Sequence, residues 1–201
     1  MRRRDFIRMI VGSAAAWPLM ARAQQSDQMR RIGVLMPYAE DDPETSPRLT
    51  ALREGLLKLG WTEGRNIRFE HRWSASDPEA LPKLAREIVD SRPDVILTDT
   101  TPPTAAVLHE TRTFPVVFVQ VGDPVGSGFV ASFPRPGGNA TGFNNLPPAS
   151  IRGSGEPVWV VASLNACLRL GPDPRRALWP AVMSTALKRP NTWPHRPTLQ
   201  T

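Results

Sequence analysis

Residues 94–121, DVILTDTTPPTAAVLHETRTFPVVFVQV, decide the fold. Asp94-Val95-Ile96-Leu97-Thr98 is a short apolar run, Pro102 to Arg112 reads as a helix, and Val116-Val117-Phe118-Val119-Gln120-Val121 is a second run. Neither run alternates apolar with polar residues, which is the pattern of a strand covered on both faces. Strands alternating with helices predict a parallel sheet with right-handed crossovers.

The same cadence holds upstream. Ile32-Gly33-Val34-Leu35-Met36 is an apolar run ended by Pro37. Thr45-Ser46-Pro47 offers a cap and a proline at the first helical position, and Leu49, Leu52, Leu56 and Leu59 follow at spacings of three and four before Gly60. Asn66 to Trp73 alternates, with Ile67, Phe69, His71 and Trp73 on one face and Arg68, Glu70 and Arg72 on the other, as in a half-exposed edge strand. Ser76-Asp77-Pro78-Glu79 has capping-box spacing and starts a helix whose core face is Leu81, Leu84, Ala85 and Ile88. The expected architecture is α/β, a doubly wound parallel sheet over residues 25–148, with the first strand between the second and third. The run Gly137-Gly138-Asn139-Ala140-Thr141-Gly142 reads as a connecting turn.

Residues 1–24 read as an export signal rather than as structure. Arg3-Arg4-Asp5-Phe6-Ile7-Arg8 fits the twin-arginine pattern, Met9 to Met20 is an apolar stretch too short to span a bilayer, and Ala21-Arg22-Ala23 is a small-x-small cleavage site. The expected location is periplasmic, with cleavage after Ala23 and the twin-arginine export machinery as a partner.

This segment changes what the charge means. The whole chain is formally +6, but residues 1–24 hold five Arg and one Asp, and residues 151–201 hold seven Lys or Arg against two acids. Residues 25–150 carry 13 basic and 16 acidic side chains, so the body is mildly acidic and gives no reason to expect a nucleic-acid partner. One cysteine, Cys167, excludes an intrachain disulfide, and His71, His109 and His195 have no metal-ligand spacing.

After Pro148 the character shifts. Residues 151–201 contain seven prolines and three tryptophans and no sustained strand–helix alternation. Residues 149–201 are therefore expected to be an irregular, disordered or aberrant tail. Val158 to Leu170 is its apolar stretch, suited to one strand or helix. The abruptness of the shift points to a reading-frame change near Ser150, with a Pro-rich extension as the alternative.

In doubly wound sheets ligands sit outside the carboxyl ends of the strands. Three segments fall there: Pro37-Tyr38-Ala39, Thr98-Asp99-Thr100-Thr101 and Gly122-Asp123-Pro124. Thr100 and Thr101 precede a helix opened by Pro102 and either cap it or hold a carboxylate at its positive end. Asp123 suits a ligand ammonium group and suits equally the start of a turn. Tyr38 stacks on a ligand or sits at the rim. Nucleophile-elbow, phosphate-loop and dinucleotide signatures are absent, so no enzyme activity and no cofactor are expected.

Leu56 to Gly64, Pro93-Asp94-Val95-Ile96, Pro115 to Gly126 and Pro136 to Phe143 together closely resemble the substrate-binding proteins of ABC transporters, nearest to the branch associated with aromatic or aliphatic amino-acid uptake. The resemblance implies one lobe of a type I periplasmic binding fold, in which two α/β lobes close on a small solute and present it to an inner-membrane permease. It places Thr101, Gly122 and Asp123 at ligand-facing positions of the first lobe, with Tyr38 a lesser candidate and no metal. Family members continue into a second lobe of similar size, so this chain is expected to be truncated and to bind weakly. The alternatives are a non-functional gene remnant, or a small-ligand regulator or enzyme on a similar sheet.

Overall fold

The computed structural model describes residues 29–43, 45–132, 135–144 and 156–170. In chain order they form β1 (Arg30–Met36), α1 (Thr45–Lys58), β2 (Ile67–Trp73), α2 (Leu81–Asp90), β3 (Val95–Asp99), α3 (Thr101–Glu110), β4 (Val116–Val121), β5 (Ala140–Asn144) and α4 (Glu156–Leu170). The five strands make one sheet in the order β2-β1-β3-β4-β5, and every pairing is parallel. The first strand lies between the second and third, as expected, and β2 is an edge.

Two layers of helices cover the sheet. On one face α1 and α4 bury Leu49, Leu52, Leu56, Val161, Leu164 and Leu168 against Ile32, Val34, Ile67, Val95, Leu97 and Val117. On the other, α2 and α3 bury Leu81, Ala85, Ile88, Val107 and Leu108 against Leu35, Ile96, Val116 and Phe118. The central strand β3 is buried at all five positions, which is why its sequence shows no alternation.

Helix α1 ends where Gly60 takes φ +90°, a conformation that costs a residue with a Cβ. Leu59, expected on the core face, falls beyond the helix and is 37% exposed. The second helix starts later than its capping-box spacing suggests. Its N-cap is Ala80, and Asp77 instead accepts the Glu79 N–H at 2.9 Å inside the preceding turn. A local Asx turn has captured the Glu79 N–H that a capping box would have turned to Ser76.

One element departs from expectation, and one that was left open is decided. The stretch read as a turn contains β5, paired parallel to β4 from Val116↔Ala140 onward. Any Cβ at Gly142 would collide with the Phe118 carbonyl oxygen and ring, so glycine permits the close approach of the two strands. Within the stretch expected to be irregular, Glu156–Leu170 is helical. Pro157 occupies its first turn and the next proline is Pro172, so the prolines bracket the helix without interrupting it. Val160, Val161, Leu164, Cys167 and Leu168 are all buried, and each large apolar side chain so removed from water contributes about 1.5–3 kcal/mol. The Trp61 indole N–H donates to Asn165 Oδ1 at 3.0 Å, and Arg169 donates to the Leu59 carbonyl at 3.3 Å.

The export segment, and Trp179 and Trp193 in the tail, lie outside the described residues. No helix among the described residues is long and apolar enough to cross a membrane.

Candidate solute-binding site

Strand order reverses between β1 and β3, so the carboxyl ends of these two strands border the crevice where doubly wound sheets take ligands. Tyr38 follows β1, while Asp99 ends β3 and Thr100 follows it. Arg48, in the first turn of α1, joins the two sides. Its guanidinium lies 5.8 Å from the centroid of the half-buried Tyr38 ring, and its Nη1 lies 3.4 Å from Asp99 Oδ2. The Asp99 side chain is 1% exposed and that of Arg48 39%, so a deeply buried carboxylate is held by a cation that reaches solvent.

The backbone here is strained. Thr100 has φ 68° and ψ 173°, a region populated almost only by glycine, and Gln120 near the end of β4 has φ 55°. Each such residue costs on the order of 1–3 kcal/mol and persists where its surroundings over-determine it. Thr100 is fixed by its N–H to the Val119 carbonyl at 2.9 Å and by the Thr104 hydroxyl on its own carbonyl at 2.6 Å. Thr104 meets Thr98 at 2.8 Å in the buried interior beneath.

The five residues expected at the site are brought together only in part. Thr101 Oγ1 accepts the Gly122 N–H at 3.4 Å, so the ends of β3 and β4 converge. Thr100 is the N-cap of α3, but its side chain makes no capping hydrogen bond. Pro102 and Pro103 have no N–H, which leaves the first turn of α3 fewer donors for an anion than a usual helix end. Asp123 is exposed, and its Oδ1 accepts the Gly126 N–H at 2.8 Å, the turn geometry that its Gly-Asp-Pro context also allows. Tyr38 stands with Arg48 rather than with the Thr101–Gly122 pair.

A cavity of about 290 Å³ opens beside these loops, on the α1/α4 face of the sheet. Met36, Leu49, Leu52, Leu97, Val119, Phe143 and Val160 give it apolar walls, and Arg48, Asp99 and Gln120 supply its polar groups. None of the five expected residues lines it. Arg48, Asp99 and Gln120 were not singled out from the sequence. The signal for Asp99 was there, as a carboxylate at the end of an otherwise apolar buried strand.

Among the described residues no group of three or more His, Cys, Asp or Glu could hold a metal ion. Burial pushes the Cys167 thiol up to about 12, which keeps it protonated and unreactive.

A family profile described as ABC transporter substrate binding protein matches residues 40–152, more than half of the chain. The chain belongs to that family. The substrate-binding-protein match takes in Arg48 and the β3 side of the crevice and begins after β1 and Tyr38. A tyrosine-binding protein of Clostridioides difficile (strain R20291) is 30% identical over 103 residues, covering 49% of this chain and 30% of that protein. The crystal structure of a conserved domain protein from Vibrio cholerae is 31% identical with TM-score 0.56, over 60% of this chain and 40% of that one. An ABC domain from Streptococcus pneumonia in complex with L-Trp is 23% identical with TM-score 0.53, over 58% and 39% of the two chains, and supports the fold alone. The chain thus spans between 30% and 40% of the length of these relatives.

Proposed function

We propose that this chain is a solute-recognising lobe of an extracytoplasmic binding protein that serves an ABC uptake transporter and takes a small solute such as an amino acid. The observation that carries the reading is the strand-order reversal between β1 and β3, with Tyr38, Asp99 and Thr100 bordering it, in a chain of the substrate-binding family. The tyrosine-binding relative supports an amino acid as the solute class. Binding, not catalysis, is the role.

In this reading Thr101 and Gly122 form one wall of the solute site, Asp123 meets a ligand ammonium, and Tyr38 closes the side nearest α1. Residues 1–24 direct export through the twin-arginine machinery, with cleavage after Ala23, and residues 25–148 are the lobe, which α4 completes by packing on it. Affinity in a two-lobed binder comes from closure that buries most of the solute, and a permease then recognises the closed shape. A single lobe supplies about half of that wall, so binding is weak.

The test is a thermal-shift scan of the full chain against a panel of amino acids, followed by calorimetry. The expected result is a midpoint that rises with one solute class and no longer rises in Asp123→Ala and Thr101→Val. A cooperative melt that no solute moves overturns the reading. For export, replacing Arg3 and Arg4 together by Lys is expected to leave the protein in the cytoplasmic fraction, and continued export refutes the twin-arginine assignment.

A further inference from the structure

The cavity on the α1/α4 face has a wall that the family match does not supply, because Val160 lies beyond residue 152. We propose that this cavity is a second binding site, complete within the one lobe, for a small neutral aromatic or branched aliphatic molecule carrying a single hydrogen-bonding group.

Its size suits such a molecule. An apolar protein cavity of about 150 Å³ takes up benzene, and drug-sized ligands need about 300 Å³ or more. At about 290 Å³ this one accepts a bicyclic ring or a branched chain. Leu52, Leu97, Phe143 and Val160 offer apolar contact from α1, β3, β5 and α4, so a ligand would meet four elements and keep one side toward solvent.

Its polar groups set the chemistry. Gln120 reaches the cavity through an irregularity in β4. Val117 belongs to the core on the α1/α4 face, Phe118 to the opposite core, and strict alternation would carry Gln120 to the same side as Phe118. The ladder to β5 slips between Phe118 and Val121, Gln120 takes φ 55°, and the consecutive residues Val119 and Gln120 both line the cavity. A bulge that re-aims one side chain recurs next to binding sites. The carboxamide both donates and accepts, and so matches a hydroxyl, amide or indole N–H. The lining is mostly apolar, so a ligand bearing a net charge would lose water against apolar surface. That selects a neutral ligand.

The experiment titrates indole and toluene into the full chain by calorimetry. Saturable one-to-one binding of indole is expected, weakened by about tenfold or more in Ala51→Phe and in Val160→Phe, each of which fills the cavity from a different helix. Gln120→Leu should weaken indole and leave toluene unchanged, and Asp123→Ala should alter neither. Far-UV circular dichroism and the melting midpoint identify a filled variant that has not folded, and the other then decides. Uptake that never saturates, binding that survives in a folded filled variant, or binding lost in Asp123→Ala each overturns the proposal. Indole binding with no response to amino acids would leave this site standing and remove the strand-end solute site; the reverse pattern would do the opposite.

Discussion

Replacing Gly55 by alanine tests whether α4 is part of the lobe. In an unobstructed helix this change stabilises by about 0.5–1 kcal/mol, because glycine gives up the most backbone freedom on folding. Gly55 lies where α1 meets α4, and a Cβ there would stand 2.5 Å from Val161 Cγ2, with Cγ1 at 3.3 Å and Cβ at 3.4 Å. Val161 is 5% exposed and β-branched, so it has one strongly preferred rotamer in a helix and no room to swing aside. Overpacking of this kind costs about 1–3 kcal/mol, and the helix-propensity gain reduces the net loss to between zero and about 2 kcal/mol. With Val161→Ala in place the obstructing methyls are gone, and Gly55→Ala should then stabilise by up to about 1 kcal/mol. The coupling between the two sites is therefore about 1–3 kcal/mol. Urea denaturation of the four proteins in the cycle measures it. Additivity to within about 0.5 kcal/mol, as for sites that do not touch, would refute the packing of α4 on α1.

Three further outcomes follow from single side chains. His71 is stacked between Phe69 and Trp73 at 5.7 and 5.4 Å; burial first, then Arg53, holds its imidazole below the usual 6.5, against the opposing pull of Glu63 and Glu40. Its stabilising contribution is whole above about pH 6.5 and is lost as pH falls through the lowered folded value, so His71→Phe should flatten the decline in urea midpoint from about pH 7 to about pH 5; an unchanged decline refutes the assignment. Cys167 should resist a thiol reagent at about pH 8 in native buffer and react fully in denaturant, and prompt native reaction would contradict its burial. Gly142→Ala should destabilise by about 1–3 kcal/mol or more, because the obstruction is the backbone and ring of Phe118; an unchanged denaturation midpoint would contradict the β4–β5 register.

The sheet was legible in the sequence because its central strands are largely apolar without alternation and the sequence of the edge strand β2 alternates. Strand β5 was not, since Ala140-Thr141-Gly142-Phe143-Asn144 has two residues that favour turns and its pairing depends on a missing Cβ. Helix α4 was legible only as an apolar stretch, Val158 to Leu170, suited equally to a strand or a helix. Thr101 and Gly122, expected from the rule that ligands gather at strand ends, meet through a hydrogen bond, while Arg48 escaped notice because a lone cation in a helix reads as solvated surface until a buried carboxylate is found opposite. Gln120 was least accessible of all. In a strand its face follows from parity, and only the slip in the β4–β5 ladder reverses it.

Helix α4 also changes what a single lobe can be. Without it, Leu52, Leu56 and the α1-side residues of β3 and β4 would form an open apolar face, and a lobe in that state would favour association over folding alone. With it, Val161, Leu164 and Leu168 cover that face, and Val160 turns what would be a surface hollow into a walled cavity. Stability and the cavity thus depend on one helix. The proposed solute site at the β3 and β4 ends is different, because Thr101, Gly122 and Asp123 lie outside the α1/α4 core. Loosening α4 with Leu164→Ala, a fully buried side chain, should cost about 2–5 kcal/mol. At a temperature where that variant remains folded, indole binding should weaken while any amino-acid response persists. Parallel loss of both would mean that the two sites are one, joined through the Arg48–Asp99 pair that borders each.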